Sequence, residues 1–224
     1  MPSLPLPAII VLRRPGRACA VASAGRGESE VGRVAGSSGL SGITRLLCPA
    51  EWAESIYAID LDDLRRRGVR GLVFDLDNTL IPWRSPRPPA ELAAWFSTLG
   101  RLGFKACIVS NNSVPRVNAF ASALGVPAVA RASKPRRRAF HRAMALLGTT
   151  AAETAVVGDQ MFTDVLGGNR LGMYTILVTP VSRWEFPGTM LVRRVEALVL
   201  ARLRRRGLLG KKAPPRGGDA PHPA

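Results

Sequence analysis

"GLVFDLDNTLIPW", residues 71–83, runs a short apolar segment into two aspartates separated by one residue, with a threonine two positions beyond the second. Gly71-Leu72-Val73-Phe74 has the length and the β-branched and aromatic content of a buried strand, and a turn-forming Asp-Asn follows it. Asp75 and Asp77 therefore fall at the carboxyl end of a strand. In open α/β sheets ligands bind at that edge, so two acids there point to chemistry. Alternate side chains of a strand share a side, and two anions on one side repel unless a cation or a shared proton relieves them. The competing reading is a solvated strand end with a helix cap, and this stretch alone leaves both open.

Outward from that strand, four more apolar runs follow: "KACIVSN" (105–111), "PAVAR" (127–131), "TAVVGD" (154–159) and "YTILVTP" (174–180). Helical stretches lie between them. "PAELAAWFSTLGRLG" (89–103) repeats apolar residues at Leu92, Trp95, Phe96 and Leu99, while "PRVNAFASALG" (115–125) and "KPRRRAFHRAMALLG" (134–148) likewise end on glycine. Strands alternating with helices of this length give an α/β fold, a parallel sheet covered by helices on both faces. Before the first strand, "EWAESIYAIDLDDLRRRG" (51–68) reads as two short helical pieces. After the last, "MLVRRVEALVLARLRRRG" (190–207) reads as an amphipathic basic helix with Leu191, Val195, Leu198, Val199 and Leu203 on one stripe.

The 224 residues suit one domain with flanking segments. Residues 1–42, rich in Ala, Gly, Ser, Arg and Pro, are expected to be a disordered extension or the product of a start set too far upstream; 43–206 form the domain; 207–224 form a disordered basic tail. A secretory signal is not indicated, because Arg13 and Arg14 follow "PAIIVL" instead of preceding it, whereas an organelle transit peptide within 1–42 stays open. The uncharged runs 1–12 and 171–182 are too short for a bilayer. The three cysteines show no paired spacing, which speaks against a disulfide framework or zinc site and for a reducing compartment. His141 reads as a surface residue. The formal charge is +16, and residues 191–224 hold nine Lys or Arg against two acids, so the C-terminal end attracts polyanions: an anionic membrane face, nucleic acid or ribosomes.

Asp75-x-Asp77-x-Thr79 after the first strand, Ser110 ending the second, Lys134 opening a helix and Gly158-Asp159-x4-Asp164 ending the fourth all fall on one sheet edge. This ordered set resembles the four motifs of the haloacid dehalogenase-type phosphatases. The resemblance implies a three-layer, Rossmann-like sheet and hydrolysis of a phosphomonoester through an aspartyl-phosphate. It implies Asp75 as nucleophile and Mg²⁺ ligand, Asp77 as general acid and then base, and the Asp77 carbonyl with Asp159 as further ligands supported by Asp164. Ser110 and Lys134 would hold the phosphate, Asn111 and Thr79 would position the loops around it, and Mg²⁺ is the implied cofactor. A hard divalent ion also suits such oxygen ligands on chemical grounds. The Asn111-Asn112 pair and Gly167-Gly168 otherwise read as tight turns or close backbone approach.

Only Leu80–Lys105 separates the first two motifs and Asn111–Ser133 the next two, which leaves no room for a cap domain. An open site favours a large or surface-held substrate. "LLCPAEWAESIYAIDLDDLRRRGVRGLVFDLDNTLIPW" (46–83) and "GDQMFTDVLGGNRLGMYTILVTPV" (158–181), with the closing helix, are similar to the YqeG group of capless phosphatases, relatives of the phosphatidylglycerophosphate phosphatases. That resemblance implies a lipid-anchored phosphate as substrate, an anionic membrane contact through 189–206, and a cytoplasmic chain peripheral to the inner membrane face. The alternatives are a phosphatase of phosphoproteins, nucleic-acid ends or small esters, and a basic RNA- or ribosome-binding module with a vestigial site.

Overall fold

The computed structural model describes residues 42–182 and 190–205. The expectations for 1–41 and 206–224 lie outside the described residues. In chain order the elements are α1 (Gly42–Leu47), β1 (Glu51–Ala53), a 3₁₀ turn (Ile56–Ala58), α2 (Leu61–Arg66), β2 (Gly71–Phe74), α3 (Ala90–Arg101), β3 (Lys105–Val109), α4 (Val114–Leu124), β4 (Ala128–Val129), α5 (Arg137–Leu147), β5 (Thr154–Gly158), a π-helical turn (Met161–Val165), α6 (Leu166–Asn169), β6 (Tyr174–Val178) and α7 (Met190–Arg205).

The six strands form one sheet in the order β1-β6-β5-β2-β3-β4, parallel at every pairing. β2 lies inside it between β3 and β5, and all four of its residues are buried. That burial explains its unbroken apolar run, since a strand covered on both faces has no polar side to show. Leu72 and Phe74 join one core with Leu92, Phe96 and Leu99 of α3 and Val117 and Phe120 of α4. Val73 points the other way, into a second core with Ala139, Phe140 and Leu147 of α5. Leu47 of α1, Met161, Leu177 and Leu203 of α7 make a third cluster beside the second. The molecule is thus a three-layer α/β sandwich. Only loop and α3 separate β2 from β3, and only α4, β4 and α5 separate β3 from β5, so no cap domain is inserted there.

Two readings change. Glu51–Ala53 is an edge strand paired with β6, not a helical piece, although Leu61–Arg66 is helical as expected, capped by the Asp60 side chain accepting from Asp63 N–H. Among the described side chains of α7, Glu196 and Leu203 are buried and Val199 and Leu200 partly covered, whereas Val195 and Leu198 are 45% and 69% exposed; Leu191 of the expected stripe lies outside the described side chains. The stripe is rotated by about one position because the buried Glu196 carboxylate has a partner: it accepts the Phe162 N–H at 3.1 Å. Gly167 and Gly168 serve close approach within α6, where a methyl group would strike the Phe140 ring and Thr175 respectively. Cys48 and Cys107 are free thiols and His141 is exposed, as expected.

Candidate active site

The carboxyl ends of β2, β3 and β5 and the loop after β4 converge on Asp75, Ser110, Lys134, Asp159 and Asp164, each buried. Asp75 continues β2, its N–H donating to Val157 O on β5 at 3.0 Å. Lys134 comes from a loop in which Arg131 and Ser133 both have positive φ, 49° and 53°, an unfavourable conformation that turns the chain back toward the sheet edge. Its Nζ donates to Asp75 Oδ1 and to Asp164 Oδ1, both at 2.6 Å, and its side chain is 3% exposed. Gly158 makes room for Asp164, because a methyl group there would occupy the space of the Asp164 carboxyl group.

Carboxylate oxygens of Asp75, Asp159 and Asp164 lie within 4.8 Å of one another. Lys134 places its ammonium against two of the three acids, Asp75 and Asp164. The electrostatic consequence is visible on Asp75. Burial pushes its carboxyl up, the Lys134 ammonium opposes, and the Asp164 and Asp159 charges add to the rise, to about 8. Burial alone would lower Lys134, but the Asp164 and Asp75 carboxylates outweigh it and hold its ammonium above the usual lysine range. An all-oxygen, buried set of three carboxyl groups is the chemistry that holds a hard divalent metal ion.

The surrounding side chains brace this cluster. Thr79 Oγ1 donates to Asp159 Oδ1 at 3.0 Å, so it orients an acid of the cluster. Asn111 Oδ1 accepts the Lys134 N–H at 2.8 Å, which makes that exposed residue a strut for the lysine loop. Ser110 Oγ accepts the Asn112 N–H at 3.2 Å. Asp77 is relieved by a cation, one of the two ways in which such a pair of acids is tolerated. Its carboxylate turns to α4, where Arg116 forms an ion pair at 2.8 Å and Asn112 Nδ2 donates at 2.8 Å. Each acid of the pair thus has its own cation.

A family model described as HAD-hydrolase-like matches residues 131–180, which hold Lys134, Asp159 and Asp164. "Probable phosphatase YqeG" of Bacillus subtilis (strain 168) is 40% identical over 165 residues, 74% of this chain and 96% of that protein. The chain belongs to the YqeG group of haloacid dehalogenase-type phosphatases. "Phosphatidylglycerophosphate phosphatase 1, chloroplastic" of Chlamydomonas reinhardtii is 32% identical over 187 residues, 79% of this chain and 68% of that protein. "Phosphatidylglycerophosphate phosphatase 1, chloroplastic/mitochondrial" of Arabidopsis thaliana is 30% identical over 179 residues, 73% of this chain and half of that longer protein.

As a YqeG-group phosphatase the chain carries two site residues that the sequence reading missed. Asn112 reads from the sequence as half of a turn, and Arg116 receives no assignment from it. One weak signal was available for Arg116: a cation in the first turn of a helix sits against the positive end of the macrodipole, a small cost that a nearby acid offsets. Asp77 is that acid.

Proposed function

We propose that this YqeG-group phosphatase is a Mg²⁺-dependent phosphomonoester hydrolase that works through an aspartyl-phosphate on Asp75, and that its substrate is phosphatidylglycerophosphate, released as phosphatidylglycerol. The observation that carries the chemistry is the buried Asp75–Lys134–Asp164 contact beside Asp159. Asp75 attacks phosphorus, forming the Oδ–P bond as the bond from phosphorus to the leaving oxygen breaks. Asp77 gives its proton to that oxygen, then takes one from the water whose oxygen attacks phosphorus, which frees inorganic phosphate and restores Asp75. Lys134 fixes the nucleophile and opposes the charge that accumulates as phosphorus becomes crowded, and the Ser110 hydroxyl donates to a phosphoryl oxygen. Mg²⁺, held by Asp75, Asp159 and the Asp77 carbonyl with Asp164 in support, would offset the phosphate charge and favour the ionised nucleophile.

Three facts support the lipid substrate. The two plant and algal relatives are named for it. No cap separates β2 from β5, so a headgroup at a surface can approach the sheet edge. On α7, Val195 and Leu198 are exposed beside exposed Arg202 and Arg205, a combination suited to the face of an anionic bilayer. No helix among the described residues is long and apolar enough to cross a membrane. On this reading the chain acts peripherally, on lipid presented at an anionic surface.

The test is a substrate panel with Mg²⁺: phosphatidylglycerophosphate in anionic mixed micelles against a phosphopeptide, a 5′-phosphorylated oligonucleotide and sugar phosphates. The expected result is a kcat/KM at least tenfold higher on the lipid. An equal or higher value on any other class would replace the lipid assignment with that class and leave the phosphatase chemistry standing.

A further inference from the structure

Asp77, the proposed general acid, is held from α4. Its Oδ1 accepts from Arg116 Nε at 3.1 Å and Nη2 at 2.8 Å, while its Oδ2 accepts from Asn112 Nδ2 at 2.8 Å. The same guanidinium donates through Nη1 to Ser85 O at 2.8 Å and through Nη2 to Trp83 O at 2.7 Å. It also lies 5.0 Å from the Phe120 ring centroid, which limits its freedom from behind. One side chain, 21% exposed, therefore ties α4 to the acid and to the loop that follows it, with four donated hydrogen bonds.

An arginine needed only to neutralise Asp77 would require one contact. Here the planar fork is fully oriented by carbonyls that carry no net charge, so its direction is fixed independently of the acid it meets. Among the described residues the side chains that hold the Asp77 carboxylate are Arg116 and Asn112, and the buried carboxylate cluster consists of Asp75, Asp159 and Asp164.

We propose that Arg116 is a positioning residue for proton transfer: with Asn112 it fixes the Asp77 carboxyl group at the distance and angle from which it meets the leaving oxygen. The inference rests on the general-acid role given to Asp77 above and is independent of the lipid assignment. The step it serves is balanced. Asp77, an ion-paired carboxylate in the resting chain, first takes up the proton that a phosphomonoester monoanion brings with it. As the bond from phosphorus to the substrate oxygen breaks and the bond from Asp75 Oδ to phosphorus forms, that proton moves from Asp77 to the departing oxygen and leaves a neutral alcohol.

A leaving group that departs as a stable anion has little need of that proton, and an alkoxide needs it most. Arg116→Ala and Arg116→Lys would be assayed in saturating Mg²⁺ on glycerol 3-phosphate and on 2,4-dinitrophenyl phosphate. Misplacing a catalytic group by about 1 Å can cost about a hundredfold. The expected result for Arg116→Ala is a loss of kcat on the alkyl ester of roughly 10- to 100-fold, with a much smaller loss on the aryl ester. Arg116→Lys recovers part of the alkyl activity, because an ammonium can meet one Asp77 oxygen without holding Trp83 and Ser85.

Asp77→Asn serves as the reference and shows the same bias, and Asn112→Ala, which removes the donor to the other oxygen, shows it more weakly and stands in should Arg116→Ala fail to fold. Equal losses on both esters, or a change confined to KM, would reduce Arg116 to a structural staple or a substrate contact and overturn the inference. Bias in Asp77→Asn without bias in Arg116→Ala overturns the positioning role alone. Absence of bias in Asp77→Asn overturns the general-acid reading and this inference together.

Discussion

Replacing Lys134 by methionine keeps the length and the apolar stem of the side chain and deletes the ammonium that touches two acids. In the parent chain Nζ sits 2.6 Å from both Asp75 and Asp164 with the side chain 3% exposed, so solvent cannot take over its role. Removing one partner of a buried ion pair costs about 3–5 kcal/mol, because the remaining charge stays buried and uncompensated. At roughly 2–4 °C per kcal/mol for a chain of this size, the variant should melt roughly 6–20 °C below the parent in EDTA. Magnesium should then matter more to the variant than to the parent, since one positive charge fewer faces the same three carboxylates. An ion present at a hundred times its dissociation constant contributes about 2.7 kcal/mol, enough to restore much of the loss. Turnover should still fall by about a hundredfold or more, because a preorganised charge at the reacting centre has gone. Scanning calorimetry in EDTA and in Mg²⁺, with kcat on a common ester, reads all three effects. A variant that melts within roughly 2 °C of the parent in EDTA, a difference of under about 1 kcal/mol, would refute the buried-charge account.

The pH dependence follows from Asp75, raised to about 8 by burial first and by its acidic neighbours, against Lys134. The folded value lies above the unfolded one of about 3.9, so the contribution of Asp75 to metal-free stability is greatest in acid and is lost as pH rises toward about 8. Magnesium uptake should therefore expel a proton at pH 7 and tighten with pH until about 8; titration calorimetry in two buffers of different ionisation enthalpy measures the proton, and buffer-independent heats would contradict the expectation. Thr79→Val removes the donor to Asp159; at about 1.5–3 kcal/mol for a hydrogen bond to a charged group, Mg²⁺ affinity should weaken by roughly 10- to 100-fold, and unchanged affinity would show that Thr79 does not orient the ligand. Gly158→Ala drives a methyl group into the Asp164 carboxyl group; kcat should drop at least tenfold with the fold retained by circular dichroism, and parent-like turnover would mean that Asp164 is dispensable.

The fold was legible wherever burial leaves a local pattern. β2, covered on both faces, shows as an unbroken apolar run, and α3 shows as a 3.6-residue repeat ending at glycine. β1 left no such trace: three residues at the sheet edge, held in place by β6 more than 120 positions later, have no periodicity of their own. The terminal helix was read one position out of phase, because hydropathy treats Glu196 as a surface residue and cannot foresee a carboxylate satisfied by Phe162 N–H. Asp75, Asp159, Asp164 and Lys134 were legible as an ordered set and are brought into contact. The partnership of Asp77 was not, because Arg116 lies 39 positions away and reaches it only after β3 and α4 have packed.

The central claim is that Asp75 carries the phosphoryl group. Quenching the enzyme during turnover with borohydride reduces an aspartyl-phosphate to homoserine, and peptide mass spectrometry then reports which residue was modified. Homoserine at position 75, dependent on substrate and on Mg²⁺, is the predicted result. Unmodified Asp75 under conditions of measured phosphate release, or homoserine at another aspartate, would contradict the account.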